Sequence, residues 1–419
     1  MNLKLFIQEF LKRKGAYVFL AVVIAKILSF VLSVIIIRIL PKNDYGNLMY
    51  AYTIISFTMP FMGMGVFQGF IKYAPIQKFL YQRKSLFQYS IIKGSIASSI
   101  LVILIILFSR LATKNLPEAH QYLIGFSFLI LSLFIFEAVK NYLRIFFLNK
   151  AYAKLEIIHA VFTFVLGIVF SYFIGALGFI IALVSTPLFL SIWLLSKKQI
   201  LRKKTTLLSI NKKQFWIYGL YTSLGGLVSQ LIFSVDVLSI GNMLNNSESL
   251  AQYKAISLIP FSLLFLPTSM LKTDFVKLVQ EAKNRLYLIN YFKNFALIFS
   301  TISIILLLLT YFWGNSFISL FFGASYLDQS NLLFIFMIGI SGAFIFRVPF
   351  GNLMAAIGWT KINTLISIAT LITDVILNYF WIQKWGIIGA AYATSLLLWL
   401  SGFATFIVFL VYLSKLKKQ

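Results

Sequence analysis

Long apolar stretches separated by short polar connections dominate this sequence. Each contains the roughly 20 mostly apolar residues that a helix needs to cross the hydrocarbon core of a bilayer. Twelve stretches qualify: 16–40, 46–70, 87–109, 122–143, 155–174, 177–196, 215–240, 253–271, 295–313, 331–352, 362–383 and 387–412. They are continuous runs, unlike the short alternating segments of a membrane β-barrel. Because lipid offers the backbone no hydrogen-bond partner, each stretch is predicted to be a helix. The pattern predicts an all-α integral membrane protein with twelve transmembrane helices.

Positive charges alternate between the two sides of these predicted spans. Most of the 37 Lys and Arg residues lie in the two tails and in the connections after every second span. The opposite connections contain only Lys42, Arg110, Lys114 and Lys384. Since Lys and Arg are enriched in cytoplasmic loops, both termini are predicted to be cytoplasmic. An odd number of spans would place the later basic loops outside the cytoplasm. The charge pattern therefore independently supports an even count of twelve spans.

The composition of the chain excludes several classes of function. The chain is 60% apolar, has no Cys and only two His residues, and shows no Walker A, GxSxG or HExxH motif. No metal site and no cofactor are therefore predicted. The longest outer connection, 314–330, is too short for a soluble catalytic domain. The net charge of +26 is explained by membrane topology, so nucleic acid is not predicted as a partner.

One motif occurs twice, which indicates an internal repeat. The pattern GxxGxxxA joins spans 5 and 6 and again joins spans 11 and 12. Its members are Gly175, Gly178 and Ala182, then Gly386, Gly389 and Ala393. The offset is close to half the chain, as in transporters built from repeats. The prediction is an N-terminal six-helix lobe over 1–200, a basic cytoplasmic linker over 201–214 and a C-terminal six-helix lobe over 215–419.

A few polar residues fall inside the spans, where an ionisable group costs about 2.5–3.5 kcal/mol unless it has a partner or a watery cavity. They are Lys26 in span 1, Glu137 and Lys140 in span 4, Asp236 at the end of span 7, Arg347 in span 10 and Asp374 in span 11. The strongest signal is a polar stripe at helical spacing in span 11. It comprises Ser367, Thr370, Asp374 and Asn378. Such a line must face protein or water.

Two interpretations of these residues stay open. In the functional one, Lys26, Arg347, Lys140 and Asn378 line a cationic cavity for an anionic substrate. The carboxylates of Asp374, Asp236 and Glu137 then bind the coupling ion, H⁺ or Na⁺. In the structural one, the charges pair internally: Glu137 with Lys140, and Asp236 or Asp374 with Lys26 or Arg347.

Three segments carry a family resemblance. RILPKNDYGNLMYAYTIISFTMPFMGMGVFQGFIKYAP resembles the opening of bacterial polysaccharide-unit flippases, which move O-antigen and other lipid-linked oligosaccharides. These belong to the multidrug/oligosaccharidyl-lipid/polysaccharide exporter superfamily. GNLMAAIGWTKINTLISIATLITDVILNYFWIQKWGIIGAAYATSLLLW is similar to their spans 10–12. SVDVLSIGNMLNNSESLAQYKAISL is similar to their span 7–8 junction and puts Asp236 at a characteristic acidic position.

The resemblance implies two six-helix lobes, related by a pseudo-twofold repeat, around a central cavity. It implies transfer of undecaprenyl-diphosphate-linked oligosaccharide from the cytoplasmic to the outer leaflet of a bacterial inner membrane, driven by cation antiport. Lys26 would be the basic residue of the first helix that meets the diphosphate. Membrane lipids, a polysaccharide polymerase and a chain-length regulator are the implied partners. No bond is broken, so no enzyme activity is predicted.

Three rival functions remain. A multidrug and toxin antiporter has a similar architecture, but its mostly cationic substrates favour an acidic cavity, whereas basic residues predominate in these spans. A lipid II flippase is poorly separated by sequence alone. A membrane-embedded polymerase or glycosyltransferase is disfavoured by the short outer connections and by the lack of a paired-carboxylate motif.

Overall fold

The protein is helical throughout the part of the chain that the structure describes. The structure is a computed structural model, and it describes residues 15–75, 77, 79–197, 210–232, 234–268, 270–271, 278, 281–357 and 359–416. Within these residues, ten helical segments are long and apolar enough to cross a membrane. The prediction of an all-α membrane protein is confirmed. Close packing divides the chain into two compact units, Met1–Gln230 and Leu231–Gln419.

The described residues of the first unit form eight helices. They are α1 (Gly15–Ile39), α2 (Lys42–Thr58), α3 (Val66–Tyr73), α4 (Leu80–Ala112), α5 (Ala119–Ile145), α6 (Asn149–Ile174), α7 (Ala176–Lys197) and α8 (Lys212–Ile232). Helix α5 is the most buried and packs against α4 and α7, while α1 lies along α6. The buried aromatic residues of α5, among them Phe126, Phe134 and Phe136, fill the interior of this unit.

The second predicted span is broken in its middle. A 3₁₀ segment, Met59–Gly65, separates α2 from α3, and Gly63, Met64 and Gly65 all have positive φ. The amide of Gly63, left without a helical partner, donates to Ser98 Oγ at 2.9 Å. Gly65 lies directly against the backbone of Gly219 on α8, so a Cβ on either glycine would overlap the other's carbonyl. This contact requires two glycines, and it packs α8 against the 3₁₀ segment.

The predicted lobe boundaries follow the sequence repeat rather than the packing. The lobe predicted over 215–419 includes most of α8, yet α8 packs in the first unit, where Trp216 Nε1 donates to Tyr89 Oη at 3.0 Å. In the predicted linker over 201–214, residues 201–209 lie outside the described residues. Assignment of α8 to a C-terminal lobe stays a prediction.

The second unit contains α9 (Val235–Leu244), α10 (Ser247–Ser262), α11 (Arg285–Phe322), α12 (Asn331–Gly342), α13 (Val348–Ala356) and α14 (Thr360–Leu416). A π-helical turn, Ala343–Arg347, joins α12 to α13. Helix α14 packs against α9, α12 and α13. Because α14 contains both the polar stripe and the second glycine motif, it organises the chemistry of this unit.

The two glycine motifs form corners of the same geometry. Gly175 has φ 68° and ψ −144°, and Gly386, which interrupts α14, has φ 57° and ψ −139°. Three residues later, a Cβ on Gly178 would overlap the Phe170 carbonyl oxygen, and a Cβ on Gly389 would overlap that of Trp381. The repeat noticed in the sequence thus corresponds to a repeated local structure that glycine makes possible.

Candidate functional site

Two buried carboxylates lie together in the second unit. Asp236, in the first turn of α9, is 6% exposed, and Asp374, on α14, is 4% exposed. One amide bridges them: Asn378 Nδ2 donates to Asp236 Oδ1 at 2.8 Å and to Asp374 Oδ1 at 3.0 Å. Asp374 and Asn378 are one turn apart, so the polar stripe of span 11 faces protein here. The structure therefore brings three predicted site residues into one cluster.

The two carboxylates are hydrogen-bonded unequally. Asp236 Oδ2 accepts a 2.6 Å bond from Tyr253 Oη on α10 and another of 2.6 Å from Thr394 Oγ1 on α14. Asp374 accepts only from Asn378 among the described hydrogen bonds. A buried carboxylate needs several donors or a cation to offset its lost hydration. Asp374 is consequently the carboxylate whose charge the described residues compensate least.

The amide of Asn378 also has an unused acceptor. The residue is fully buried, both amide hydrogens point at carboxylates, and its Oδ1 has no described partner. Carboxylate, amide and hydroxyl oxygens from α9, α10 and α14 thus converge. Hard cations prefer oxygen ligands, and buried carboxylates can also bind protons. The arrangement can hold one small monovalent cation or one proton.

The cluster contains residues that sequence analysis did not select. Tyr253 and Thr394 supply hydroxyls, and Lys254, next to Tyr253, attracts Asp236 at longer range. Thr394 directly follows Ala393 of the repeated motif, and Tyr253 is a polar group within an apolar stretch. These are the only features of the sequence that could have drawn attention to Tyr253 and Thr394, and neither indicates that their side chains contact Asp236.

Arg347 occupies a second polar site in the same unit. It ends the π-helical turn, and its Nη1 and Nη2 donate to Asn363 Oδ1 and Ser367 Oγ, each at 2.9 Å. No carboxylate lies within 4 Å of it among the described ion pairs, so the predicted pairing with Asp236 or Asp374 is not the one observed. The two neutral acceptors fix the plane of the guanidinium without neutralising it. A part-buried guanidinium in this state can bind an anion.

Lys140 and Glu137 adopt the internal pairing that was the structural alternative. Lys140 Nζ lies 2.9 Å from Glu137 Oε1 and 3.0 Å from Glu156 Oε2, a partner on α6 that was not among the predicted site residues. The Lys140 ammonium is thus engaged between two carboxylates. This arrangement links α5 to α6 in the first unit.

Lys26 is exposed on α1 in the first unit. Ser29 and Ser33, on the same helical face, donate to backbone carbonyls of α1 itself. No described hydrogen bond or ion pair joins Lys26 to Glu137, Lys140 or Glu156. The contacts among Glu137, Lys140 and Glu156 thus do not include Lys26.

Comparison with known proteins identifies a family that covers more than half of this chain. A profile of the family described as polysaccharide biosynthesis protein matches residues 11–271. A candidate O-antigen transporter from Shigella flexneri is 23% identical over 185 residues, which are 44% of this chain and 44% of that protein.

Solved structures share the fold at low sequence identity. The lipid II flippase MurJ in an inward closed conformation has a TM-score of 0.74 at 16% identity, over 95% of this chain and 89% of MurJ. An inward-facing multidrug resistance MATE transporter has a TM-score of 0.67 at 13% identity, over 94% and 96% of the two chains. A transporter from Pyrococcus furiosus that is described as a member of the MOP superfamily, with a binding pocket of reversed polarity, has a TM-score of 0.61 at 14% identity, over 97% of this chain and 96% of that one.

Proposed function

Because this chain belongs to the polysaccharide biosynthesis protein family, we propose that it is a flippase for undecaprenyl-diphosphate-linked oligosaccharide units. It would move them from the cytoplasmic to the outer leaflet of the bacterial inner membrane by cation-coupled alternating access, for surface polysaccharide synthesis. The proposed architecture is twelve helices in two six-helix lobes with both termini cytoplasmic. Flipping breaks no covalent bond, so no enzyme activity is proposed.

The uncompensated guanidinium of Arg347 is the observation that carries this proposal. A diphosphate and its sugars cannot cross hydrocarbon unaided, because their charges and hydroxyl groups would lose water without replacement. Arg347 is oriented by Asn363 and Ser367 and retains its positive charge. It can replace part of the hydration of a phosphate oxygen while the polyprenyl tail remains in lipid. A positive guanidinium would repel a cationic substrate, which disfavours the alternative function of a multidrug and toxin antiporter.

The carboxylate cluster supplies the coupling ion site of the proposal. Asp236, Asp374 and Asn378 converge oxygens in a buried setting, and Asp374 needs a positive partner. Binding of H⁺ or Na⁺ there would neutralise charge between α9 and α14. Glu137, engaged by Lys140, is not proposed for this role, and Lys140 is not proposed to bind substrate. Lys26 remains a proposed substrate contact, since it is exposed and has no described partner.

A flipping assay tests the proposal directly. The protein is reconstituted in vesicles with undecaprenyl-diphosphate-linked disaccharide carrying a fluorophore on its terminal sugar, and an impermeant quencher reports the leaflet. Wild type is expected to flip this probe faster under a Na⁺ or a proton gradient than without one. Arg347→Gln, which removes the charge, is expected to slow flipping about tenfold or more. Arg144→Gln, at the exposed end of α5, is the matched control and is expected to change the rate less than twofold.

Rival substrates belong in the same experiment. Lipid II and the lipophilic cation tetraphenylphosphonium are offered to the same vesicles. Transport of the cation with no flipping of the diphosphate probe would overturn the flippase proposal. A strong preference for lipid II would instead reassign the substrate class. A polysaccharide polymerase and a chain-length regulator are the proposed partners downstream.

A further inference from the structure

The ends of three helices in the first unit meet in a cluster of lysines and aromatic rings. Lys72 and Tyr73 end α3, Tyr89 lies on α4, and the others lie in the first two turns of α8. The cluster, called the lysine–tyrosine cluster below, comprises Lys72, Tyr73, Tyr89, Lys212, Phe215, Trp216 and Tyr218. By the charge pattern of the chain, this end of α3 and of α8 is the predicted cytoplasmic end.

The rings form one continuous packed set around Phe215, which is fully buried. Tyr73 and Tyr89 lie 6.0 and 6.1 Å from Phe215 between ring centroids. Tyr73 meets Tyr218 edge to face at 6.4 Å and 89°. Tyr89 is held further by the 3.0 Å hydrogen bond from Trp216 Nε1. Mutual packing of this kind fixes ring positions, unlike the independent rings of an interfacial aromatic belt.

Two exposed lysines lie over these fixed rings. Lys72 Nζ is 3.8 Å from the centroid of Tyr218 and 5.5 Å from that of Tyr73. Lys212 Nζ is 5.9 Å from the centroid of Tyr89. Cation–π contact positions each ammonium without cancelling its charge. The donors that point away from the ring remain available to an anion.

No carboxylate neutralises these lysines among the described ion pairs. Glu137 and Glu156, the carboxylates of the first unit that do form ion pairs there, are engaged by Lys140. Both ammonium groups belong to one packed ring cluster, so the cluster suits an anion with more than one negative charge, and a diphosphate is such a group. The tyrosine rings add apolar faces and hydroxyls, which suit the C–H face and the hydroxyls of a sugar.

We propose that the lysine–tyrosine cluster captures the sugar-diphosphate headgroup of the lipid-linked substrate at the cytoplasmic leaflet. Lys72 and Lys212 bind the diphosphate, and Tyr218 with its neighbours packs against the first sugar. This inference rests on the proposed flippase function and adds a second, peripheral subsite to it. Capture there raises the apparent affinity for substrate without changing the rate at which bound substrate is flipped.

The test measures binding and flipping separately. Wild-type protein in phosphatidylcholine vesicles is titrated with tritiated undecaprenyl-diphosphate-linked N-acetylglucosamine, and scintillation counting of the bound probe is the readout. Lys72→Gln and Lys212→Gln are each expected to raise the Kd about tenfold, the loss of one charge-assisted hydrogen bond. Lys213→Gln is the matched control, because this neighbouring exposed lysine lies over no described ring. It is expected to change the Kd less than twofold.

A second set of arms separates sugar from charge. Tyr218→Leu should weaken binding of the sugar-linked probe more than binding of undecaprenyl diphosphate without sugar. Tyr218→Phe, which keeps the ring, should restore most of the affinity. Lys72→Gln should weaken both ligands equally. Vesicles containing phosphatidylglycerol test an ordinary anionic-lipid site: if this lipid competes as well as the probe does, the capture site is overturned.

The outcomes distinguish the inference from its premise. If wild type flips the probe but Lys72→Gln and Lys212→Gln bind like Lys213→Gln, the capture site is wrong and the flippase function stands. Wild type that neither binds nor flips any lipid-linked diphosphate overturns both. A Tyr218→Leu variant that fails to fold in detergent leaves the two lysine variants to decide, since both side chains are exposed.

Discussion

At the scale of single residues, Asn378 is the position on which the carboxylate cluster depends. Its two amide hydrogens are the only described link between Asp236 and Asp374. An amide is the group that can donate to both carboxylates while leaving an oxygen for a bound cation. A hydroxyl has one hydrogen and could serve only one of them. The negative charge of the cluster thus favours binding of a cation or a proton, and asparagine suits this position because it donates to both carboxylates.

Replacing Asn378 with Ala is expected to abolish ion-dependent flipping and to lower stability. Two buried carboxylates would lose their shared donor, at a cost of about 1–3 kcal/mol for each unsatisfied group. Thermal unfolding in detergent, measured with and without Na⁺ at several pH values, checks this. Wild type should be stabilised by the coupling ion, and the variant should not.

Asn352→Ala is the control for that change. Its Nδ2 donates only to the carbonyl of Val348 on its own helix among the described bonds, so its removal should leave the ion response intact. An Asn378→Ala protein that still gains stability and flipping rate from the ion would exclude the cluster as the coupling site.

Lys140 illustrates the opposite outcome, in which a charge at bilayer depth serves the fold. Lys140→Met would leave Glu137 and Glu156 without their shared cation. Because Glu137 is partly exposed, the expected loss of stability is about 2–3 kcal/mol, below the range for fully buried pairs. Chemical denaturation in detergent measures it. Lys150→Met, exposed at the start of α6, should cost less than 0.5 kcal/mol, roughly the effect of an ordinary surface change.

Restoring charge balance tests the explanation. The double variant Lys140→Met with Glu156→Gln should recover part of the loss, since one uncompensated carboxylate is removed. Equal stability of wild type and Lys140→Met would show that the triad contributes nothing to folding.

At the scale of helices and their connections, the repeated corner is the clearest feature. Gly178→Ala and Gly389→Ala place a Cβ on a backbone carbonyl, which cannot move aside as a side chain could. Each is expected to lower the unfolding free energy by about 1–3 kcal/mol or more through overpacking. Gly314→Ala on α11 is the matched control, because its Cβ would meet only Leu333 Cδ2 at 3.9 Å. Alanine should stabilise that helix by about 0.5–1 kcal/mol.

The test is whether each substitution raises or lowers the melting temperature. Thermal unfolding of the three variants should give lower melting temperatures for the two corner variants and an equal or higher one for Gly314→Ala. A melting temperature of Gly178→Ala at or above that of wild type would show that the corner tolerates a side chain.

The sequence predicts the helices better than it predicts which side chains of different helices contact one another. Apolar length indicated an all-α membrane protein, although predicted span 7 over 215–240 is divided between α8 and α9. The GxxGxxxA spacing marked both corners, because local backbone chemistry determines them. The stripe through Asp374 and Asn378 indicated a face that must meet protein. Helical spacing could not name Tyr253 or Thr394 on the other helices, nor choose Glu156 as the second partner of Lys140. Breaks inside spans, such as Met59–Gly65, also escape a hydropathy window.

At the scale of the whole molecule, orientation in the membrane is the main open prediction. Helix α4 has 33 residues and is therefore about 50 Å long, enough to span the bilayer with its headgroups. Lys84 lies in its first turns and Lys114 just beyond its end. The charge pattern predicts Lys84 on the cytoplasmic side and Lys114 outside.

Labelling of single cysteines measures this without background, because the chain has no natural Cys. In intact cells, an impermeant maleimide should label Lys114→Cys and not Lys84→Cys. In inside-out vesicles, the pattern should reverse. Labelling of both positions from one side would contradict the predicted topology.

The corners also limit where motion can occur. A single residue, Gly175, connects α6 to α7, and Gly386 alone separates the two parts of α14. Because each connection is one residue long, we expect the two helices on either side of it to move together. Among the described residues, the irregular turns Met59–Gly65 in the first unit and Ala343–Arg347 in the second are then the places where we expect a unit to rearrange. Two spin labels, one on each side of a corner, are expected to report a fixed distance throughout the proposed transport cycle.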